Sequence, residues 1–461
     1  MLIEFTVANF RSIHEPIVLD LSPVRQIGRL PENAFPSGLK QQPRRLLRTA
    51  VVYGPNASGK SNLIRAAHFM RHLVLNSNRK EADAPLFEEP FLLNPQARNQ
   101  PGQFEMIFVA NRVRYQYGFE VDRQRVVQEW LYAFLPKGAR TIFTRAYQAD
   151  EDRFEVESDL GAGIVDAVQS LPEDWLALTR LGQQKPTLCL ELDAVYKWFH
   201  GKLLVLVPDK KIDFSETINI FKNTSGRQWV LDFLKAADLG IEDLALDDDQ
   251  ELPEDLLSAI VTDFIQNPPI GFPSKVRSQL EDAIREKDYK RIYGIIKINQ
   301  WTLKTIRTVP ASGGKVSFEV GMESSGTIRM LALAGQWKTM LDKGQVCFLD
   351  EIEEGLHPRL ARFLLELFQE PAANPNNGQL IVATHETSLL DQILLRPDQV
   401  WLMNKKRDHA SHFYALSDFD LKGRGGNLQR DYLDGLFGAV PMVLRKQRLS
   451  EMGVEHGGEA S

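Results

Sequence analysis

Gly54-Pro55-Asn56-Ala57-Ser58-Gly59-Lys60-Ser61 reads G-x-x-x-x-G-K-[ST], and its flanks complete the pattern. Thr49 to Tyr53, just before it, is a β-type run suited to a buried strand. Asn62 to Leu75, just after it, carries Leu63, Ala66, Ala67, Met70 and Val74 at the spacing of one helix face. Strand, glycine loop and helix in that order are the context a phosphate-binding loop requires. Backbone N–H groups of such a loop and of the following helix N-terminus converge on one spot and attract phosphate oxygens. Gly54 and Gly59 permit close backbone approach, and Asn56, Ser58 and Asn62 belong to the same cradle. Lys60 is placed to reach the β- and γ-phosphates, and the Ser61 hydroxyl to occupy one position on Mg²⁺. The expected cofactors are therefore ATP and Mg²⁺.

Composition sets the bounds around this loop. The chain has 461 residues, enough for two or three domains' worth of core, and its apolar and charged fractions are ordinary for a globular protein. A formal charge of -6 speaks against a uniformly basic nucleic-acid binder while leaving room for a local basic patch. Cys189 and Cys347 lie far apart without metal-ligand spacing, which suits two core thiols in a reducing compartment. The N-terminus lacks a signal pattern, and the longest aliphatic run, Leu203 to Val207, is too short to span a bilayer. A soluble cytoplasmic protein with no membrane partner is expected.

Along the chain, Ile3, Phe5 and Val7 alternate as in a half-buried strand, and Ile17, Leu19 and Leu21 repeat the pattern after Asn9-Phe10-Arg11-Ser12. Residues 22–48 read as a long loop in which Arg44, Arg45 and Arg48 form a solvated basic stretch, with a nucleic-acid contact as the alternative. From Phe104 a meander of alternating segments continues to Arg145, an antiparallel lobe attached to the nucleotide core. Residues 163–305 then change to helical spacing at Trp175 to Leu178, Ala194 to Phe199, Trp229 to Ala237, Leu256 to Ile265 and Val276 to Ile284. The expected division is an N-terminal half of the core at 1–162, a mostly helical insertion at 163–305, and a C-terminal half at 306–461. The fold class expected is α/β, a P-loop ATPase core with an antiparallel lobe and a helical insertion.

The C-terminal half holds the remaining chemistry. Val346-Cys347-Phe348-Leu349 is a continuous apolar run, the mark of a buried parallel strand, and it delivers Asp350 and Glu351 at the end where ligands of open α/β sheets bind. Adjacent carboxylates there divide the labour, Asp350 holding Mg²⁺ and Glu351 polarising the attacking water. Leu380 to Ala383 is a second buried strand, ending in Thr384-His385, where His385 can sense the γ-phosphate. Glu323-Ser324-Ser325-Gly326-Thr327 opens a helix, and its serines and glycine could either cap that helix or approach a phosphate.

Taken together, Asn9 to Ser12, Gly54 to Ser61, Glu323 to Thr327, Asp350 to Pro358, Thr384-His385 and the tail Tyr432 to Pro441 resemble the RecF/SMC/OLD branch of ABC-type ATPases. The likeness is greatest to the stand-alone phage-defence ATPases of the RloA, AbiL and AriA kind. It covers both ends of the chain; the insertion matches only in helical character. The resemblance implies that Arg11 belongs to the nucleotide site. It also implies that Ser324, Ser325 and Gly326 form a signature addressing ATP held by an opposing copy, so that the site is complete only in a homodimer or larger homo-oligomer. It implies further an ATPase that restrains a separate nuclease effector, of Toprim type, and releases it on a phage-encoded trigger. Too few residues follow His385 for a fused Toprim domain, so this chain is not expected to be the nuclease. The runner-up is a DNA-sensing or DNA-repair ATPase of the RecF/SMC kind, with DNA as partner. A transporter nucleotide-binding subunit is disfavoured by the long insertion.

Overall fold

The computed structural model describes residues 1–79, 85–184, 188–207, 213–247, 302–421 and 427–441. The chain opens with β1 (Leu2–Ala8) and β2 (Ile17–Asp20), an antiparallel pair whose inward faces are apolar, as the alternation predicts. Where a loop was expected over 22–48, a short hairpin forms from β3 (Ala34–Pro36) and β4 (Arg45–Leu47). Arg48 corrects the solvated-basic reading. It is buried, its guanidinium donates to the carbonyls of Glu32 and Asn374, and it lies over the Phe35 ring. Carbonyl partners and an aromatic face offset the burial of the cation, and no local pattern announces them.

Next come β5 (Thr49–Tyr53), buried at every position, and α1 (Lys60–Asn76). A meander follows, made of β6 (Gly102–Ala110), β7 (Val113–Val121), β8 (Val126–Leu135), β9 (Gly138–Gln148) and β10 (Arg153–Glu157). With β1 and β2 it forms a seven-stranded antiparallel sheet, the expected lobe. Beyond it lie α2 (Ala162–Gln169), α3 (Ala177–Gln183), α4 (Leu190–Gly201) and β11 (Leu203–Leu206), then α5 (Ser215–Phe221), α6 (Thr224–Ala236), β12 (Asp243–Asp247), β13 (Thr302–Thr308) and β14 (Lys315–Glu319). The chain closes with α7 (Ser325–Lys343), β15 (Val346–Asp350), α8 (Pro358–Gln369), β16 (Gln379–Ala383), β17 (Val400–Lys405), β18 (Ser411–Ala415) and α9 (Leu428–Leu433).

The second sheet runs β11-β15-β16-β5-β17-β18, parallel except for β18. Its central strands, β15, β16 and β5, are buried at every position and mostly apolar because both faces are covered. One continuous core takes residues from both sheets and from α1, α3 and α4, with Phe5 meeting Phe348 edge-on at 5.6 Å. Gln379 ties the sheets through their backbones, accepting from Leu2 N–H and donating to the carbonyls of Leu2 and Leu47.

Two compact units result, Met1–Pro208 with Met340–Ser461, and Asp209–Thr339. These boundaries differ from those expected at 162/163 and 305/306. Leu203 to Leu206 pairs in parallel with β15, so the stretch up to Pro208 belongs to the nucleotide core. Among its described residues the second unit holds, besides α5 and α6, a three-stranded antiparallel sheet of β12, β13 and β14. Within it α5 lies close to α7: a Cβ on Gly335 would stand 2.2 Å from the Thr217 backbone nitrogen, and the Thr217 hydroxyl donates to the Leu331 carbonyl. The helical segments expected at Leu256 to Ile265 and Val276 to Ile284 fall outside the described residues. Cys347 is buried as expected, whereas Cys189 is half-exposed. No helix among the described residues is long and apolar enough to cross a membrane.

Candidate nucleotide site

Three neighbouring strands, β15, β16 and β5, bring the three motifs to one edge of the parallel sheet. The glycine loop follows β5, Asp350 ends β15, and Thr384-His385 follows β16. In sequence the glycine loop lies hundreds of residues before the other two segments; parallel pairing puts the carboxyl ends of all three strands side by side.

The loop is shaped by contacts a side chain would obstruct. A Cβ on Gly54 would lie 2.0 Å from the Met403 carbonyl oxygen, and one on Gly59 would lie 2.1 Å from Ser411 Oγ. Gly59 is the N-cap of α1 at φ 115°, and no side chain caps the helix there, which leaves its first turn suited to an anion. Ala57 also adopts a positive φ, 60°. Beneath the loop runs a chain of hydroxyls. Ser411 Oγ donates to the Ser58 carbonyl at 2.7 Å, Ser12 and Ser411 share a 2.8 Å bond, and Asn62 Nδ2 donates to Ser12 Oγ at 2.8 Å. Ser411 spends its one proton on Ser58, so Ser12 donates to Ser411. Asn62, taken from sequence as part of the cradle, thus braces it from below. Ser12 ends the Asn9 to Ser12 motif but was given no role of its own from sequence, and nothing local marks Ser411.

Lys60 is buried, and its ammonium donates to the carbonyls of Gly54 at 2.8 Å and Pro55 at 3.2 Å, with His385 Nδ1 at 3.4 Å. An ammonium has no lone pair, so Nδ1 accepts and the neutral ring carries its proton on Nε2. Burial pulls the Lys60 pKa down to about 8 against the opposing charges of Asp350, Glu353 and Glu351. Burial and the Lys60 charge lower that of His385, which keeps the imidazole neutral at pH 7.

Asp350 is buried, and burial raises its pKa; the Ser61 hydroxyl hydrogen-bonds it, and the charges of Arg65 and Lys60 act in the same direction as that bond. Its Oδ1 is buried without a hydrogen-bond partner, an oxygen that a cation would satisfy. Ser61 and Asp350 together fit Mg²⁺, which takes few protein ligands and fills its octahedron with water and phosphate oxygens. No group of three or more His, Cys, Asp or Glu among the described residues is arranged around a metal position. Glu351 leaves β15 at φ 56°, with its N–H on the Ala383 carbonyl at 2.9 Å. Burial and the neighbouring Asp350 and Glu353 raise its pKa, the direction a proton-accepting carboxylate needs.

Glu353 was not assigned a role from sequence. Its carboxylate accepts from the Thr384 hydroxyl at 2.6 Å and from the His385 N–H at 2.5 Å, clamping the turn after β15 to the end of β16. The signal was its place in the acidic run Asp350-Glu351-Ile352-Glu353-Glu354.

The described contacts of the other expected residues are these. Arg11, at φ 53°, pairs with Glu89 through its guanidinium, donates its N–H to the Glu89 carbonyl and lies over the Phe10 ring. Ser324, Ser325 and Gly326 lie in the second compact unit. There Ser324 caps α7, its Oγ accepting from Thr327 N–H at 3.2 Å, while Glu323 forms a two-pronged pair with Arg307. Ser324 and Ser325 are both exposed.

Among solved structures the chain is similar to an SMC head bound to the C-terminal winged-helix domain of ScpA, with 13% identity and a TM-score of 0.36 over 92% of this chain and 98% of that one. It is also similar to the SMC head domain of Thermotoga maritima, with 13% identity and a TM-score of 0.34 over 90% and 98%. A Pyrococcus furiosus SMC head with an extended coiled coil gives 13% identity and a TM-score of 0.34 over 90% and 96%. No curated protein matches the chain. The family described as "AAA domain, putative AbiEii toxin, Type IV TA system" matches residues 50–391, from within β5 to beyond the His385 turn. That span takes in the glycine loop, the Asp350-Glu351 strand end and His385, and the chain belongs to this family of AAA-domain ATPases.

Proposed function

We propose that the chain is an ATP-hydrolysing switch whose site is completed by a second copy, and that it controls a separate nuclease effector in defence against phage. The convergence of Lys60, Asp350, Glu351 and His385 on one sheet edge is the observation that carries the hydrolytic part. Lys60 supplies positive charge to the β/γ-phosphates, Ser61 and Asp350 hold the cation, Glu351 orients and deprotonates water, and neutral His385 donates from Nε2 to the terminal phosphoryl group. Mg²⁺ bound there would neutralise charge on the phosphate oxygens. Two lines support the defence role: the likeness of the motif set to stand-alone phage-defence ATPases, and a family description that names a type IV toxin–antitoxin toxin.

The decisive experiment compares the wild-type chain with Glu351→Gln. The variant binds ATP with affinity within about twofold, loses turnover by roughly 10²–10⁴-fold, and accumulates as an ATP-bound dimer by light scattering. Turnover at the wild-type rate would remove the water-activating role. Co-purification with the products of adjacent genes tests the effector: a nuclease held inactive supports the switch. A salt-sensitive DNA complex of the isolated chain, with DNA-stimulated hydrolysis, would favour a DNA-sensing ATPase instead.

A further inference from the structure

Four carboxylates crowd the turn after β15, at Asp350, Glu351, Glu353 and Glu354, and their mutual repulsion contributes to the raised pKa of both Asp350 and Glu351. Asp350 and Glu351 have work in hydrolysis. Glu353 adds repulsion to that cluster, so a compensating role is required. Both of its oxygens are engaged by the neighbouring strand end, Oε2 by the Thr384 hydroxyl and Oε1 by the His385 N–H. That engagement points away from metal ligation and toward the backbone that carries the imidazole.

The bonds are directional. Thr384 Oγ1 donates its only proton to Glu353 and accepts from Glu386 N–H at 3.0 Å, so the hydroxyl is fixed from both sides. Glu386 in turn caps the following turn through Ser388 N–H at 2.9 Å. The His385 backbone is thus held by its own N–H and by the residues on either side, while its Nδ1 meets Lys60. A histidine tethered only through χ1 and χ2 on an exposed turn would sample several ring orientations. Here the peptide plane is pinned.

We propose that Glu353 is the positioning residue of His385. By gripping Thr384 and the His385 amide, it keeps imidazole Nδ1 on the Lys60 ammonium and makes Nε2–H the donor to the terminal phosphoryl oxygen. This rests on the reading of the site as an ATPase, and the two can fail separately.

The test uses the full chain, labelled with ¹⁵N at histidine, with His385→Ala assigning the resonance. In wild type His385 shows a protonated Nε2 and an unprotonated Nδ1. In Glu353→Ala the ring signal moves toward the average of the two tautomers, with Glu353→Gln intermediate because one acceptor oxygen remains. In turnover assays Glu353→Ala lowers kcat by about 10- to 100-fold with KM for ATP within about twofold, and the Glu353→Ala/His385→Ala double variant is no slower than the worse single. A ring signal unchanged in Glu353→Ala, an unchanged kcat, or multiplicative losses in the double variant would overturn the assignment. If Glu353→Ala does not fold, Glu353→Gln carries the same readouts. Turnover that survives Lys60→Ala would instead sink the ATPase reading, and the ring signal still decides the role of Glu353.

Discussion

Two helices in this molecule begin with small residues and glycine, and they are built in opposite ways. At α1 the cap is Gly59, no side chain satisfies the first turn, and the loop rests on Met403, Ser411 and Ser12 so closely that a methyl group has no room. At α7 Ser324 caps its own helix, and the serines stand exposed. The first start is held open for a ligand by packing from below. The second carries its own side-chain cap, Ser324 Oγ on Thr327 N–H. Similar composition at a helix N-terminus therefore says little until the capping bonds and the supporting floor are known.

Lys60→Ala attacks the first start most directly. Phosphate release should fall by about 10²–10³-fold, with weakened nucleotide binding by calorimetry; retained turnover would mean that the loop does not serve ATP. Ser325→Arg attacks the second. A bulky cation on the exposed turn should leave ATP binding to the single chain intact while cutting turnover by roughly 10²-fold, and unchanged turnover would remove the idea of a shared site. A smaller pair of effects sharpens the contrast. Gly59→Ala forces a Cβ onto Ser411 Oγ at a φ of 115°, and should cost about 1–3 kcal/mol together with ATP affinity. Ser324→Ala removes only a cap, about 1 kcal/mol, and leaves ATP affinity alone. Thermal melts with and without ATP separate the two.

Much of the nucleotide core was legible because its signals are local. The buried runs at Thr49 to Tyr53, Val346 to Leu349 and Leu380 to Ala383 became β5, β15 and β16, and the spacing after Ser61 became α1. The parts that were not legible depend on partners distant in sequence. Arg48 is buried because Glu32 and Asn374 offer carbonyls. Ser411 matters because β17 and β18 pass under the loop, and no motif records that. Leu203 to Leu206 is an apolar run like β15, yet it was read with the insertion because its pairing with β15, far along the chain, is what assigns it to the core. Glu353 lay inside a recognised run yet was passed over, since its partners Thr384 and His385 sit on the adjacent strand.

Glu351 occupies a left-handed backbone conformation, φ 56°, that a branched-free but bulky acid adopts only at a cost. Replacing it with glycine should raise the melting temperature, recovering up to about 1 kcal/mol, in a protein that no longer turns over ATP. The residue proposed to activate water is then also a weak point of the architecture, and selection for heat tolerance alone would discard it.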